Sequence, residues 1–313
     1  MAELLKSYLN TMRMNGQIVR ISRLFKGTDK NDKEYVSYRG AIKVGEEGHL
    51  YDFEGMVYKL TKEGKVSKTY ERAVNWFGEV YDAIQESREI PEIFASLSGS
   101  LEPMDYVASS GELRETTVFR VSQIYDFTKD AYGDDAYVTL EGYVRSIAPE
   151  IDPKTEEETG NLIISLIGLT FKKDAIVIPK IIVENEGDGV NFVNSNYEVG
   201  AFTKATLGFK WTNSNPTPSR VGMGRVKDNV VSRSTREFFL MGMDVPREDD
   251  DISKNKELIK ELLSERKMKL DAIEEEGYKG SGEKNSSKAP TRGFGKGKAS
   301  SVNLPVDDDD IPF

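Results

Sequence analysis

Tyr35, Arg39 and Lys43 fall at even spacing in a run whose other register, Val36, Tyr38, Ile42 and Val44, is mostly apolar. In an extended strand this puts an aromatic ring and two cations on one face. Arg20, on the polar register of the preceding run, is placed to lie beside them, and Arg23 and Lys26 extend past it toward the next turn. Tyr137, Tyr143 and Arg145 share a second polar face, opposite Val138, Leu140 and Val144, with Glu141 between them. A third group is the loop 212–236, with Arg220, Arg225, Lys227, Arg233 and Arg236 against the acid Asp228, and Trp211 at its base. Such cations can track phosphates, and exposed aromatic rings can stack on bases at about 1–3 kcal/mol per base. Plainer readings of the same residues stand beside this one: solvated sheet faces, tyrosines suited to half-buried strands, a solvated loop, and Trp211 packed in a core with Leu207 and Phe209.

Other chemistry finds little support. The chain has no cysteine, hence no disulfide, thiolate ligand or thiol nucleophile, and a lone histidine, His49, which argues against a histidine triad or a histidine-based zinc site. Carboxylates are abundant, but none has metal-ligand spacing backed by other ligands. The expectation is a binding protein without cofactor or metal and not an enzyme. A carboxylate-metal nuclease is the weakest of the rival readings.

The chain ends in Asp307-Asp308-Asp309-Asp310-Ile311-Pro312-Phe313. Adjacent like charges resist burial, so this peptide does not belong to a packed core. It suits a partner with an apolar pocket for Phe313, a cation for the terminal carboxylate and a basic rim for the aspartates. Before it, residues 277–306 are rich in Gly, Ser and Lys and read as a disordered basic tether. The net charge of −10 means that any surface for a polyanion must be a local stripe.

The elements that would position these groups are mostly strands. Period-two alternation from Gly16 marks three strands, then a helix spans about 69–87, with Trp76 and Phe77 on its core side. Further strands fall near 94–101 and 117–127. The order then restarts, with strands at 137–147, 161–171 and 175–183, a short helix or turn at 190–199, and strands at 201–211 and 237–245. Five strands with an insertion between the third and fourth is the layout of the OB-fold, with an SH3-like barrel fitting nearly as well. The fold expected is therefore mainly β: an N-terminal segment 1–15, two OB-fold-like five-stranded barrels in tandem at 16–127 and 128–245, an acidic linker and helix at 246–276 capped at Ser253, the tether, and the tip 307–313. The helix would pack on a barrel or pair with a second copy of itself.

The terminal peptide, behind a Gly-rich tether and two barrels, resembles the tip of the bacterial and phage single-stranded DNA-binding protein family, whose members close on an acidic run and Ile-Pro-Phe or Leu-Pro-Phe. The resemblance implies that Phe313 and Pro312 fill a pocket on replication, recombination and repair enzymes, supported by Ile311, while Asp307 to Asp310 meet a basic rim and also compete for the protein's own DNA groove. It further implies non-sequence-specific coating of single-stranded DNA, an OB-fold, and residence in the cytoplasm at the nucleoid or at replication sites. The doubled barrel departs from the common one-barrel subunit, which points to a phage-encoded or plasmid-like member and a homodimer. No membrane partner is expected. An alternative is an adaptor or decoy that uses the tip to occupy such enzymes without binding DNA.

Overall fold

A computed structural model describes residues 9–45, 48–127, 136–170, 172–214, 233–246 and 250–277. The first barrel comprises β1 (Asn10–Thr28), β2 (Glu34–Val44), β3 (His49–Tyr58), β4 (Ile93–Pro103), the short hairpin β5 (Tyr106–Val107) and β6 (Leu113–Arg114), and β7 (Thr117–Asp126). Between β3 and β4 one helical segment runs from α1 (Lys68–Arg72) through a π-helical turn, Ala73–Phe77, into α2 (Gly78–Gln85). Ser67 starts it by accepting from the Tyr70 N–H. Its Phe77, Val80 and Ala83 are fully buried against the barrel, whereas Trp76 is only partly buried.

The strands close in the order of an OB-fold. β1, β2 and β3 form an antiparallel meander, β3 runs parallel to β7, β7 pairs with β4, and β4 returns to β1. The second barrel repeats the order with β8 (Ala136–Ile151), β9 (Glu158–Leu169), β10 (Ala175–Val183), α3 (Gly189–Asn196), β11 (Phe202–Ser214) and β12 (Arg233–Met243). Here too the third strand is parallel to the fifth, and the fourth closes on the first. These parallel pairings decide for OB barrels over the SH3-like alternative. In each barrel the first strand leaves the fourth and joins the second near a glycine. A Cβ on Gly16 would lie 2.1 Å from the Lys43 carbonyl oxygen, and one on Gly142 2.5 Å from that of Ile167.

The barrels are fused, not strung. β1 starts at Asn10, ahead of the expected Gly16, and its first half pairs antiparallel with β8, from Asn10 opposite Leu140 to Met14 opposite Ala136. What holds this extension is burial: Met12 and Met14 are 2% and 1% exposed, and the Asn10 side chain bonds both the N–H and the carbonyl of Leu101. One ten-stranded sheet and one apolar core therefore run through both barrels. At the junction Phe209 of β11 lies 5.3 Å from Tyr51 and 5.5 Å from Phe119 of the first barrel, and 5.1 Å from Phe238 of β12.

α4 (Ile252–Glu276) follows, capped by Asp251, whose Oδ1 accepts from the Lys254 N–H, and not by the expected Ser253. A carboxylate at this position caps the helix and also forms an ion pair with Lys254 at 2.9 Å. The helix ends where Gly277 adopts a φ of 67°. No helix among the described residues is long and apolar enough to cross a membrane.

Candidate nucleic-acid interface

The outer face of β1, β2 and β3 carries an exposed aromatic row. Two bulges in β1, between Ile18 and Arg20 and between Ile21 and Arg23, shift the phase of its alternation. Ile18 and Ile21 stay inside at 0% exposure while Arg20, Arg23 and Phe25 turn outward. Strand register then sets Phe25 opposite Ser37, and Ser37 opposite Met56. Gly27 faces Tyr35, and Tyr35 faces Tyr58. The rings of Phe25 and Tyr35 are 6.2 Å apart, as are those of Tyr35 and Tyr58. Gly27 is the floor beneath them, because a Cβ there would come within 2.7 Å of the Phe25 ring and 3.2 Å of the Tyr35 hydroxyl. Phe25, Met56 and Tyr58 are 48%, 47% and 38% exposed, unusual for large apolar groups lying together on one face.

The turns at this end of the barrel carry lysines, offset in the first turn by Asp29, Asp32 and Glu34. Lys26 is next to Phe25, Lys30 and Lys33 lie in the turn from β1 to β2, and Lys62 and Lys68 follow β3; all five are exposed. Asp29 organises the first turn. Its Oδ1 accepts from the N–H groups of Asn31 and Lys33 at 2.8 and 3.0 Å, and its Oδ2 accepts from the Tyr58 hydroxyl at 3.3 Å. The Lys33 N–H bond, above all, holds the Asp29 carboxyl below its ordinary value. Lost solvation and then the charge of Asp29 raise the Tyr58 hydroxyl.

Beside the aromatic row Arg20, Arg39 and Arg120 are paired with carboxylates. Arg23 faces Arg39, and Arg39 faces Glu54. Glu54 bonds Arg39 at 2.9 Å and Arg120 of β7 at 2.7 Å, and Arg120 also reaches Glu102 at 3.3 Å. Arg20 bonds Asp52 at 2.7 Å. Lys43 is exposed, opposite Gln17 and Leu50. Tyr35, Arg39 and Arg20 thus share one outer face, as expected. Lys26 lies beside them, as expected, and Phe25, Met56, Tyr58, Lys30, Lys33, Lys62 and Lys68, which the sequence reading had not singled out, join them. Tyr58 was within reach of it, since Tyr58 follows Asp52 and Glu54 on the polar register; Phe25, on the register of Ile21, was hidden by the bulge between Ile21 and Arg23.

The second barrel differs. Tyr143 is 2% exposed, with its ring 5.1 Å from that of Phe202. It belongs to a separate apolar cluster with Ile167, Leu169, Ala175 and the α4 residues Ile259 and Leu262. The expected stripe of Tyr137, Tyr143 and Arg145 is therefore corrected, because α4 covers Tyr143. Tyr137 is half-buried opposite Arg13 of β1, and Arg145 is exposed at a bulge of β8. Strands β9 and β10 are apolar on both faces, a composition that needs cover on both. The amphipathic α4 supplies the outer cover. Its Arg266, 9% exposed, donates to the Ala175 carbonyl at 3.4 Å and to Asp105 and Glu115, each at 3.0 Å, on either side of the β5–β6 hairpin.

At the end of this barrel matching the aromatic row, the turn from β8 to β9 is acidic, with Glu150, Asp152, Glu156, Glu157 and Glu158 against Lys154. Glu150 accepts from Asn161 and from Thr159, each at 3.0 Å, and lies 3.6 Å from Lys180. The Asn161 bond is the first reason its carboxyl is held below the ordinary value. Trp211 lies on β11 opposite Arg236, and Arg233 opens β12 opposite Ser214, so a ribbon leads out to the basic loop. Arg220, Arg225, Lys227, the tether from residue 278 and the tip Asp307–Phe313 lie outside the described residues. Among the described residues no group of His, Asp and Glu side chains is arranged to hold a metal ion.

Two solved structures of similar fold are single-stranded DNA-binding proteins from Thermus aquaticus. A deletion variant is 12% identical, with a TM-score of 0.44, and the match covers 77% of this chain and 96% of that one. The wild-type protein is 10% identical, with a TM-score of 0.42, and covers 78% and 96%. No curated protein sequence matches the chain. The YorF family model matches residues 9–277, which span both barrels and α4, and the chain belongs to the YorF family.

Proposed function

We propose that this protein binds single-stranded DNA without sequence readout through the outer face of the first barrel. The exposed row of Phe25, Tyr35 and Tyr58, set on an OB barrel and flanked by lysine-bearing turns, carries the reading. Each ring can stack a base whatever its identity, while Lys26, Lys30, Lys33, Lys62 and Lys68 stand where a backbone leaving the row would pass. Arg39, Arg20 and Lys43 continue the face. Trp211, Arg220, Arg225, Lys227 and Arg233 add a second arm from the other barrel, with Tyr137 and Arg145 on its surface. The terminal peptide Asp307–Phe313 then recruits replication, recombination and repair enzymes. The role is one of coating and delivery, not catalysis.

The test is quenching of intrinsic fluorescence by oligo-dT, followed against salt. Saturable quenching that weakens as salt rises supports the reading. No quenching at low salt, by full-length protein and by a chain lacking 307–313 alike, excludes it. An adaptor that uses the tip alone is the second reading, favoured by the net charge of −10. Oligonucleotide binding by residues 9–277 excludes that one. Removal of 307–313 should tighten DNA binding and abolish capture of partner enzymes.

A further inference from the structure

We infer that Glu54 is an electrostatic brake on the proposed strand-binding face, keeping its arginines from phosphate and setting how steeply binding depends on salt. The inference rests on the strand-binding reading above and adds a residue that works against binding.

Glu54 points outward from β3, two residues and therefore roughly 7 Å along the strand from Met56 in the aromatic row. Its two carboxylate oxygens serve two guanidinium groups, Arg39 at 2.9 Å and Arg120 at 2.7 Å. The Glu54 side chain is 19% exposed, and Glu102, which takes the other side of Arg120, is also 19% exposed. A guanidinium fork accepts carboxylate and phosphate by the same geometry. Glu54 thus holds the position that a phosphate would take, and the group of Arg39, Arg120, Glu54 and Glu102 is neutral as a whole. A strand stacked on Phe25, Tyr35 and Tyr58 passes beside charges that already answer one another. Its electrostatic attraction then comes from Arg23, exposed opposite Arg39, and from the lysines of the turns.

The experiment titrates oligo-dT into full-length protein and into Glu54→Gln, following fluorescence at several salt concentrations. Glutamine keeps the shape and removes one negative charge. The variant should bind about 3- to 10-fold more tightly at low salt, the effect of one charge in a partly screened setting. The slope of log K against log salt should steepen by about 0.7, one further phosphate neutralised by a single strand. Glu102→Gln, on the far side of Arg120, should move both readings the same way by less, and it keeps the test open if Glu54→Gln folds poorly. Binding by the unmodified protein, with both folded variants binding no more tightly and with unchanged slope, overturns the brake alone. Absence of binding by the unmodified protein overturns the strand-binding reading and the brake with it.

Discussion

The two barrels share a strand order and even the glycine at which the first strand bends, but they part at the end where the first strand turns into the second. In the first barrel that turn balances Lys26, Lys30 and Lys33 against Asp29, Asp32 and Glu34, and the sheet beside it exposes Phe25, Tyr35 and Tyr58. In the second it holds five carboxylates between residues 150 and 158 against one lysine, and further along the same outer face α4 covers Tyr143. The second end repels a polyanion, whereas the first, balanced in its turn and with Lys62, Lys65 and Lys68 against Glu63 beyond β3, does not. Duplicating a fold has therefore not duplicated a site. The same sheet face presents rings to solvent in one copy and supports a helix in the other. The hairpin β5–β6 of the first barrel reaches across to Arg266 of that helix, so the covered barrel braces a loop of the open one.

The sharpest way to break this comparison is to remove the rings. Replacing Phe25, Tyr35 and Tyr58 together by alanine should cost about 3–9 kcal/mol of oligo-dT binding, at 1–3 kcal/mol per stacked base. Tyr143→Ala should leave affinity unchanged and lower the melting temperature instead. Equal loss of affinity from both, in fluorescence titrations of folded protein, would mean that the second barrel binds as well.

Next in size is the clasp. Arg266→Ala leaves Asp105, whose side chain is 8% exposed, without its buried partner. A loss of about 3–5 kcal/mol of stability is expected in denaturant unfolding, as for other broken buried pairs. Nucleic-acid affinity should change little once the protein is folded. Smaller again is the cover itself: Leu262→Ala should cost about 2–4 kcal/mol by removing a buried side chain between α4 and β9–β10. Affinity for oligo-dT should again be unaffected, which a titration of the folded variant would check.

The smallest effect concerns protons. Asp29 in the first barrel and Glu150 in the second both have folded-state values below their ordinary ones. Their bonds therefore favour the folded state above the ordinary carboxylate range. That contribution falls away as the pH drops through the unfolded values and then the folded ones. Carboxyl titration by NMR should place Asp29 below 3.8 and Glu150 below 4.5. The Tyr58 ring should shift with Asp29, because the two are hydrogen-bonded, and no ring should shift with Glu150. A Tyr58 signal that ignores the Asp29 titration would detach the turn from the aromatic row.

Much of this architecture is legible in the chain. Period-two alternation places the strands of each barrel, and helical spacing places α4, because burial of one face is a local demand on each element. The shared face of Tyr35, Arg39 and Arg20 follows from the same periodicity. The apolar composition of β9 and β10 on both faces also demands an outer cover, although no residue pattern says which helix provides it. Phe25 shows where alternation stops being readable, since a bulge reverses inside and outside without a mark in the residue types on either side.

What the sequence determined by itself is the inventory: ten barrel strands, their helices, a charge-balanced first turn in one copy, an acidic one in the other, and a terminal acidic peptide. What the tertiary structure decided is which inventory faces solvent. Pairing of β1 with β8 fuses the barrels into one core, the bulge after Ile21 brings Phe25 out beside Tyr35, and α4 takes Tyr143 out of contact with water. Each of these depends on contacts between residues far apart in the chain. Exposure is set by what packs on a face, and a strand's own residues specify that a face is apolar or polar without specifying its neighbour.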